Sequence, residues 1–204
     1  KFRGVSIDSR NIKKDEIFFA IKGEATDGHK YLDEVFKKNV LLAVVNDEWY
    51  KKNKKKYNDK AFLAVKDTTL ALGSFAKIHK SNFNIPVLCI GGSNGKTTTK
   101  DLTAAVLSQK FNVLKTEGNF NNHIGLPLTL LRLNGSHNFC VLEVGCNHYN
   151  EISYLCTIAE PDFGMITNIG KEHLEFFKDL NGVAKAEFEL FDYLKEKEGI
   201  IFIN

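Results

Sequence analysis

The stretch "VLCIGGSNGKTTTKDLTAAVL", residues 87–107, decides how the rest of this chain is read. An apolar run gives way to Gly91, Gly92 and Gly95, then to Lys96, Thr97 and Thr98, then to Leu102, Ala105 and Val106 at helical spacing. The pattern predicts a buried strand, a tight turn and an amphipathic helix. A phosphate group needs backbone N–H donors that converge on it, a helix N-terminus behind them and a cation for the terminal phosphate. The three glycines let the backbone approach, Lys96 supplies the charge, and the Thr97 hydroxyl suits a magnesium ion. One position departs from the usual G-x-x-x-x-G-K-[ST] pattern: Ile90 stands where its first glycine belongs. A plain strand-to-helix turn followed by a chance lysine is the competing reading.

Working outward, apolar β-rich runs recur at "FNVLKT" (111–116), "FCVLEVG" (139–145), "FGMITNI" (163–169) and "GIIFIN" (199–204). Near-continuous apolar strands separated by helices imply a parallel sheet covered on both faces. Such a sheet takes ligands outside the carboxyl ends of its strands. Upstream lie "EIFFAIKG" (16–23), "VLLAVVN" (40–46) and "AFLAVK" (61–66), with a helical pattern at Leu32, Val35 and Phe36 between the first two. A helix over 67–82, opened by Asp67 and presenting Leu70, Phe75 and Ile78, closes this part. The fold class is therefore α/β. A small N-terminal domain over 1–82 precedes a phosphate-loop domain with a mostly parallel sheet over 83–204. That second domain reads as truncated, because the chain ends at Asn204 directly after a strand-like run with no cap or tail.

The 204 residues, 43% hydrophobic and 26% charged, have the composition of a folded globular protein rather than a disordered one. No run approaches the roughly 18 apolar residues of a membrane helix, and the first residues lack a signal-peptide core, so a cytoplasmic setting is expected. A net charge of +3 is too small to ask for a nucleic-acid partner. The basic run "YKKNKKKYNDK" (50–60) reads as a solvated loop between two strands, with a polyanion patch as the alternative. Cys89, Cys140, Cys146 and Cys156 contain no C-x-x-C spacing and read as reduced thiols.

Two more residues belong at the loop's edge of the sheet. Glu143 ends the run "FCVLE", where an acid can hold the magnesium of a bound nucleotide or be an ordinary surface charge. His173 follows the apolar run at 163–169 and emerges at the same edge, as a site residue or a packed one.

Four motifs in order, "GGSNGKTTTKD", "TEGNFNNHIGLPLTLL", "LEVGCNHYNEI" and "TNIGKEHLEFF", resemble those of the Mur ligases, the ATP-dependent amide ligases of peptidoglycan synthesis. The early "GVSIDSRNIKKDEIFFAIKGEATDGHKYL" extends the resemblance along almost the whole chain. It is nearest the member that joins D-alanyl-D-alanine to UDP-N-acetylmuramoyl-tripeptide. In that family the loop frame is shorter, which makes the missing glycine a family trait. The resemblance implies an ATP site at Gly92, Ser93, Asn94, Gly95, Lys96, Thr97 and Thr98, with Lys96 on the β- and γ-phosphates. It implies one Mg2+ on Thr97 and Glu143 and a second served by His173. It places the UDP-sugar at Ser9, Arg10, Lys22, Gly23, Asp27, Gly28 and His29, and the muramoyl-peptide cleft at Thr116, Asn119, Asn121 and Asn122. A cap for the local turn is the competing role of the polar residues of "DSR".

The family's carbamylated lysine is replaced here by Glu187, in "GVAKAEFELFDYL". At about 100° per residue, Val183, Ala186, Leu190, Phe191 and Leu194 share a face that includes Glu187, whereas Lys185 points away. A carboxylate in an apolar stripe needs a partner or a metal. Glu187 is thus expected as a catalytic carboxylate beside Lys96 and His173, or else as a partly exposed residue at the stripe's edge. The implied enzyme is a monomer whose activity requires a further C-terminal domain, so these residues alone would turn over nothing. The alternatives are another Mur-type or folylpolyglutamate-type ligase, and a non-catalytic nucleotide-sugar binding fragment.

Overall fold

Apolar parallel strands are buried only when helices cover their sheet, and the chain meets that demand twice. The computed structural model describes residues 3–171 and 174–203 and divides into two compact units, Lys1–Phe75 and Ala76–Asn204. In the first, β1 (Val5–Ser6), β2 (Ile17–Phe19), β3 (Leu42–Asn46) and β4 (Phe62–Val65) form a four-stranded sheet in that order, every pair parallel. A 3-10 turn at Gly28–Tyr31 leads into α1 (Leu32–Lys37), and α2 (Asp47–Asn53) follows β3. Phe18, Leu32, Val35, Ala43 and Val45 form the core, with Trp49, Tyr57 and Phe62 packed against it. α3 (Thr68–Lys80) starts where Asp67 Oδ1 accepts the N–H groups of Thr69 and Leu70 at 2.7 and 2.9 Å, and the division between the units falls inside it.

Two expectations change in this part. The basic run is not a loop: Asn46 Oδ1 caps α2 by accepting from Glu48 N and Trp49 N, and Lys54–Tyr57 continues as a 3-10 turn. Its lysines stay in water while Trp49 and Tyr57 turn inward. In α3, Leu70 and Ile78 are exposed, whereas Leu72 and Ala76, one turn apart, are fully buried. Of the expected apolar set only Phe75 turns in, its ring 6.0 Å from Phe19.

The second unit is a five-stranded parallel sheet in the order β6-β7-β5-β8-β9, made of β5 (Val87–Gly91), β6 (Val113–Lys115), β7 (Phe139–Glu143), β8 (Phe163–Ile166) and β9 (Ile200–Phe202). Between them run α4 (Lys96–Leu107), α5 (Gly125–Leu130), α6 (Glu151–Ala159), α7 (Leu174–Phe177), α8 (Leu180–Glu187) and α9 (Glu189–Glu196). Val87 and Cys89 face one core with Leu142, Ile152, Leu155 and Leu190, while Leu88, Ile90 and Val141 face the other, towards Leu107 of α4. Because β6 and β7 lie on one side of β5 and β8 on the other, the carboxyl end of β5 is the switch point of the sheet.

α4 corrects a further expectation. Leu102 and Val106 are 64% and 71% exposed, and the residues turned to the sheet are Lys100, Ala104 and Leu107, at the i, i+4, i+7 spacing of a single face. A lysine thus occupies a core-facing position, for a reason that lies in the site.

Cys89, Cys140 and Cys156 are buried and Cys146 half-buried, and none of the four is in a disulfide. Burial pushes the Cys140 and Cys156 thiols up to about 12 and Cys89 well above its ordinary value. Because the thiolate is the reactive form, a thiol reagent at about pH 8 is expected to label Cys146 first and the others only after denaturation. Mass mapping of the labelled native protein checks this; Cys89 reacting as fast as Cys146 would contradict the packing.

Candidate functional site

Gly92 sits at φ +113 and Gly95 at φ +79, conformations that L side chains rarely adopt, so the turn between β5 and α4 is shaped by glycine. Its backbone is bound on two sides. Gly92 N donates to Glu187 Oε2 at 2.6 Å, Ser93 N to the Asn168 carbonyl at 2.9 Å, and Asn94 N to Asn168 Oδ1 at 3.1 Å. In return Thr167 Oγ1 and Asn168 Nδ2 donate to the Asn94 carbonyl at 2.7 and 2.9 Å. Three N–H groups expected to face a phosphate are therefore engaged by the protein in this state. The N–H groups of Lys96, Thr97 and Thr98 belong to the first turn of α4, where no intrahelical acceptor exists, and the cap residue Gly95 offers no side-chain bond. An anion is favoured at such a helix N-terminus. Lys96 Nζ folds back onto the Gly92 carbonyl and lies 3.4 Å from that of Ser93.

Glu143 ends β7 beside this loop and is buried. Thr97 Oγ1 donates to its Oε2 at 2.8 Å and Asn121 Nδ2 to its Oε1 at 2.9 Å. Its own N–H donates to Thr116 Oγ1 at 3.0 Å. Thr116 and Asn121, expected in a peptide cleft, thus brace the acid. Asn122 caps α5 by accepting from Ile124 N and Gly125 N at 3.1 and 2.9 Å, and Asn119 is exposed. Thr97 Oγ1 and Glu143 Oε2 are oxygen donors within reach of one hard cation, which suits Mg2+, an ion usually held by one or two protein oxygens together with phosphates and water. Among the described residues no group of three or more His, Cys, Asp or Glu is placed to hold a metal ion. His173 lies outside the described residues.

Glu187 closes α8, whose first turn is capped by Asp179 Oδ1 accepting from Gly182 N at 2.8 Å. It is 1% exposed, among Val183, Ala186 and Leu190, while Lys185 is exposed. The edge-of-stripe alternative therefore falls, and the carboxylate lies under the loop rather than in solvent. Lys100, Thr167 and Asn168 escaped the sequence reading. The available signal was a lysine one helical turn after Lys96, on the line that Ala104 and Leu107 continue.

The first unit holds a pocket of about 510 Å³ at the carboxyl ends of β2, β3 and β4, lined among others by Lys22, Asp27, His29, Asn46, Trp49 and Lys66. Asn46 N donates to His29 Nε2 at 2.9 Å, so that nitrogen carries no proton and Nδ1–H donates to Asp27 Oδ1 at 2.6 Å. Burial pushes the Asp27 carboxyl up, but the hydrogen bonds from His29 outweigh it and hold it below its usual range. With both ring nitrogens engaged, His29 shapes the wall. Gly23 N closes a turn onto the Thr26 carbonyl at 2.8 Å and Gly28 N returns to that of Ile21 at 2.8 Å. At the end of β1, Ser9 is buried and Arg10 is exposed, its guanidinium forked onto Asp8 at 2.9 and 3.0 Å. That contact holds the Asp8 carboxyl at about 2.

The two loop glycines are expected to respond differently to substitution. A Cβ on Gly92 would lie 2.8 Å from Thr167 N and 2.9 Å from the Asn168 carbonyl, against backbone that cannot yield, whereas a Cβ on Gly95 meets nothing within 4 Å. Gly92→Ala should therefore destabilise the protein by about 3 kcal/mol or more, and Gly95→Ala by about 1–2 kcal/mol from its backbone conformation alone. Denaturant titration measures both; equal losses would contradict the packing of the loop against β8.

Residues 1–80 match the model described as "Mur ligase family, catalytic domain", and residues 90–204 match "Mur ligase middle domain". Over 98% of its length the chain is 41% identical to the UDP-N-acetylmuramoyl-tripeptide--D-alanyl-D-alanine ligase of Haemophilus influenzae and 38% identical to that of Bacillus subtilis. It spans only 43% of each of those relatives. Among solved structures, MurF from Acinetobacter baumannii superposes with a TM-score of 0.85 at 34% identity, covering 93% of this chain and 40% of that one. MurF from Thermotoga maritima, in complex with ADP, gives 0.84 at 30% identity, covering 94% and 43%. The two family matches together span nearly the whole chain, and the chain belongs to the Mur ligase family.

Proposed function

We propose that this chain is part of an ATP-dependent ligase that joins D-alanyl-D-alanine to UDP-N-acetylmuramoyl-tripeptide. The observation that carries the reading is the 41% identity, across 98% of the chain, to the Haemophilus ligase of that name. The contact of Thr97 with Glu143 at the N-terminus of α4 supports its phosphate half. The ATP γ-phosphoryl group passes to the terminal carboxylate of the tripeptide, giving an acyl phosphate and ADP. The dipeptide amine then attacks the acyl carbon, the C–O bond to phosphate breaks, and the amide forms with loss of phosphate and a proton.

The second unit is the ATP-binding part in this reading. The first turn of α4 receives the phosphates, and Lys96 leaves the loop carbonyls for the β- and γ-phosphate oxygens, where it offsets charge that spreads during transfer. Thr97 and Glu143 hold Mg2+, which neutralises phosphate charge when bound. His173 is assigned to a second ion, as its match to the family motif implies. Glu187 supplies the carboxylate that the family's modified lysine otherwise provides, and it fixes Gly92 meanwhile. The pocket in the first unit, with the Ser9–Arg10 turn, receives the nucleotide sugar. Asn119 and its neighbours line the path of the peptide. The amine-receiving groups are assigned to polypeptide outside these 204 residues, and the enzyme to the cytoplasm, as a monomer.

Incubating the full-length protein with ATP, Mg2+, the UDP-muramoyl-tripeptide and D-alanyl-D-alanine should give the pentapeptide nucleotide, ADP and phosphate in equal amounts. Nucleotide-sugar binding with no amide formed would favour a binding module instead, and extension of a folate substrate would favour the polyglutamate ligases. Lys96→Ala should lower kcat by about 100- to 1000-fold with little change in nucleotide-sugar affinity.

A further inference from the structure

Lys100 is 1% exposed, although lysine is almost never fully buried unless paired. It lies one turn after Lys96 on the sheet-facing line of α4, and its Nζ stands 4.0 Å from Glu143 Oε2 and 3.5 Å from Asp101 Oδ1. Asp101 Oδ1 is shared with Lys115 at 2.6 Å and is half-exposed, so Lys100 stands between that solvated carboxylate and the buried one of Glu143. Both Glu143 oxygens are already hydrogen-bonded, by Thr97 and Asn121, and the acid is 2% exposed. The carboxylate therefore has a hydrogen bond on each oxygen and a buried cation beside it before any ligand arrives.

We propose that Lys100 is a resident counter-ion that keeps Glu143 from taking a divalent cation until a nucleotide brings one. A metal ion arriving alone must break the hydrogen bond from Thr97 to Glu143 and meet the repulsion of the ammonium in a poorly solvated place. A triphosphate at the α4 N-terminus adds the negative charge that reverses this balance. The site consequently accepts metal and nucleotide as one unit and is not preloaded with free metal. Lys100 is a positioning residue, acting through Glu143. The proposal rests on the reading of Thr97 and Glu143 as metal-holding residues.

Binding of Mn2+ alone to the full-length protein is followed by the electron paramagnetic resonance of the free ion. A non-hydrolysable ATP analogue is titrated separately by calorimetry, with and without Mn2+. The native protein should bind Mn2+ weakly by itself and bind the analogue much more tightly when Mn2+ is present. Lys100→Met should tighten binding of Mn2+ alone by about tenfold or more, and Lys100→Arg, which keeps the charge, should not. If Lys100→Met does not fold, as a thermal melt would reveal, Lys100→Gln is read in the same way. Unchanged Mn2+ binding in the neutral variants, or strong Mn2+ binding by the native protein without nucleotide, overturns the counter-ion role. An analogue affinity indifferent to Mn2+ in the native protein overturns instead the assignment of Thr97 and Glu143.

Discussion

A carboxylate buried at the end of a parallel strand must be paired, and the pairing of Glu143 ties together the second unit of this chain. Its partners come from different elements: Thr97 and Lys100 from α4, Asn121 from the segment before α5, and Thr116 from just beyond β6. Each was brought there by its own local logic of strand length or helical pitch. Together they fix α4 against β7 and set the direction in which the helix N-terminus points. The position of the glycine turn between β5 and α4 is thus a consequence of satisfying one buried acid.

The loop itself is supported from the far side. Asn168 uses its carbonyl, its amide oxygen and its amide nitrogen on Ser93 and Asn94, while Glu187 reaches Gly92 from the last turn of α8. The polypeptide after β8 therefore works as a template for the polypeptide after β5. Gly92 is required because that template approaches so closely, whereas Gly95 is required only for its backbone angle. Two glycines in one short motif serve different physical ends.

Much of this was legible in the residues. Continuous apolar runs such as residues 87–91 announced strands buried on both faces, and the 100° period placed Glu187 inward and Lys185 outward as found. The same period misled in α3 and α4. Leu70, Ile78, Leu102 and Val106 are apolar yet exposed, because helix orientation is set by tertiary contacts and not by the most hydrophobic stripe alone. Lys100 could not be read as buried, since its burial depends on an acid more than forty residues away that only the sheet order brings near. The two-residue strand β1 was missed for want of any period to detect. That Thr116 and Asn121 bond to Glu143, and His29 to Asp27 and Asn46, is not legible in residue types, because it depends on hydrogen-bond partners that the fold brings near.

The template after β8 has a further meaning for the kinetics of the site. A loop whose amides are already held by Asn168 and Glu187 has surrendered its conformational freedom during folding, so little remains to be lost when a ligand settles on it. Any group that meets this turn therefore encounters a surface already in its final shape, with Lys96 held against the Gly92 carbonyl, so encounter rather than loop ordering sets the pace.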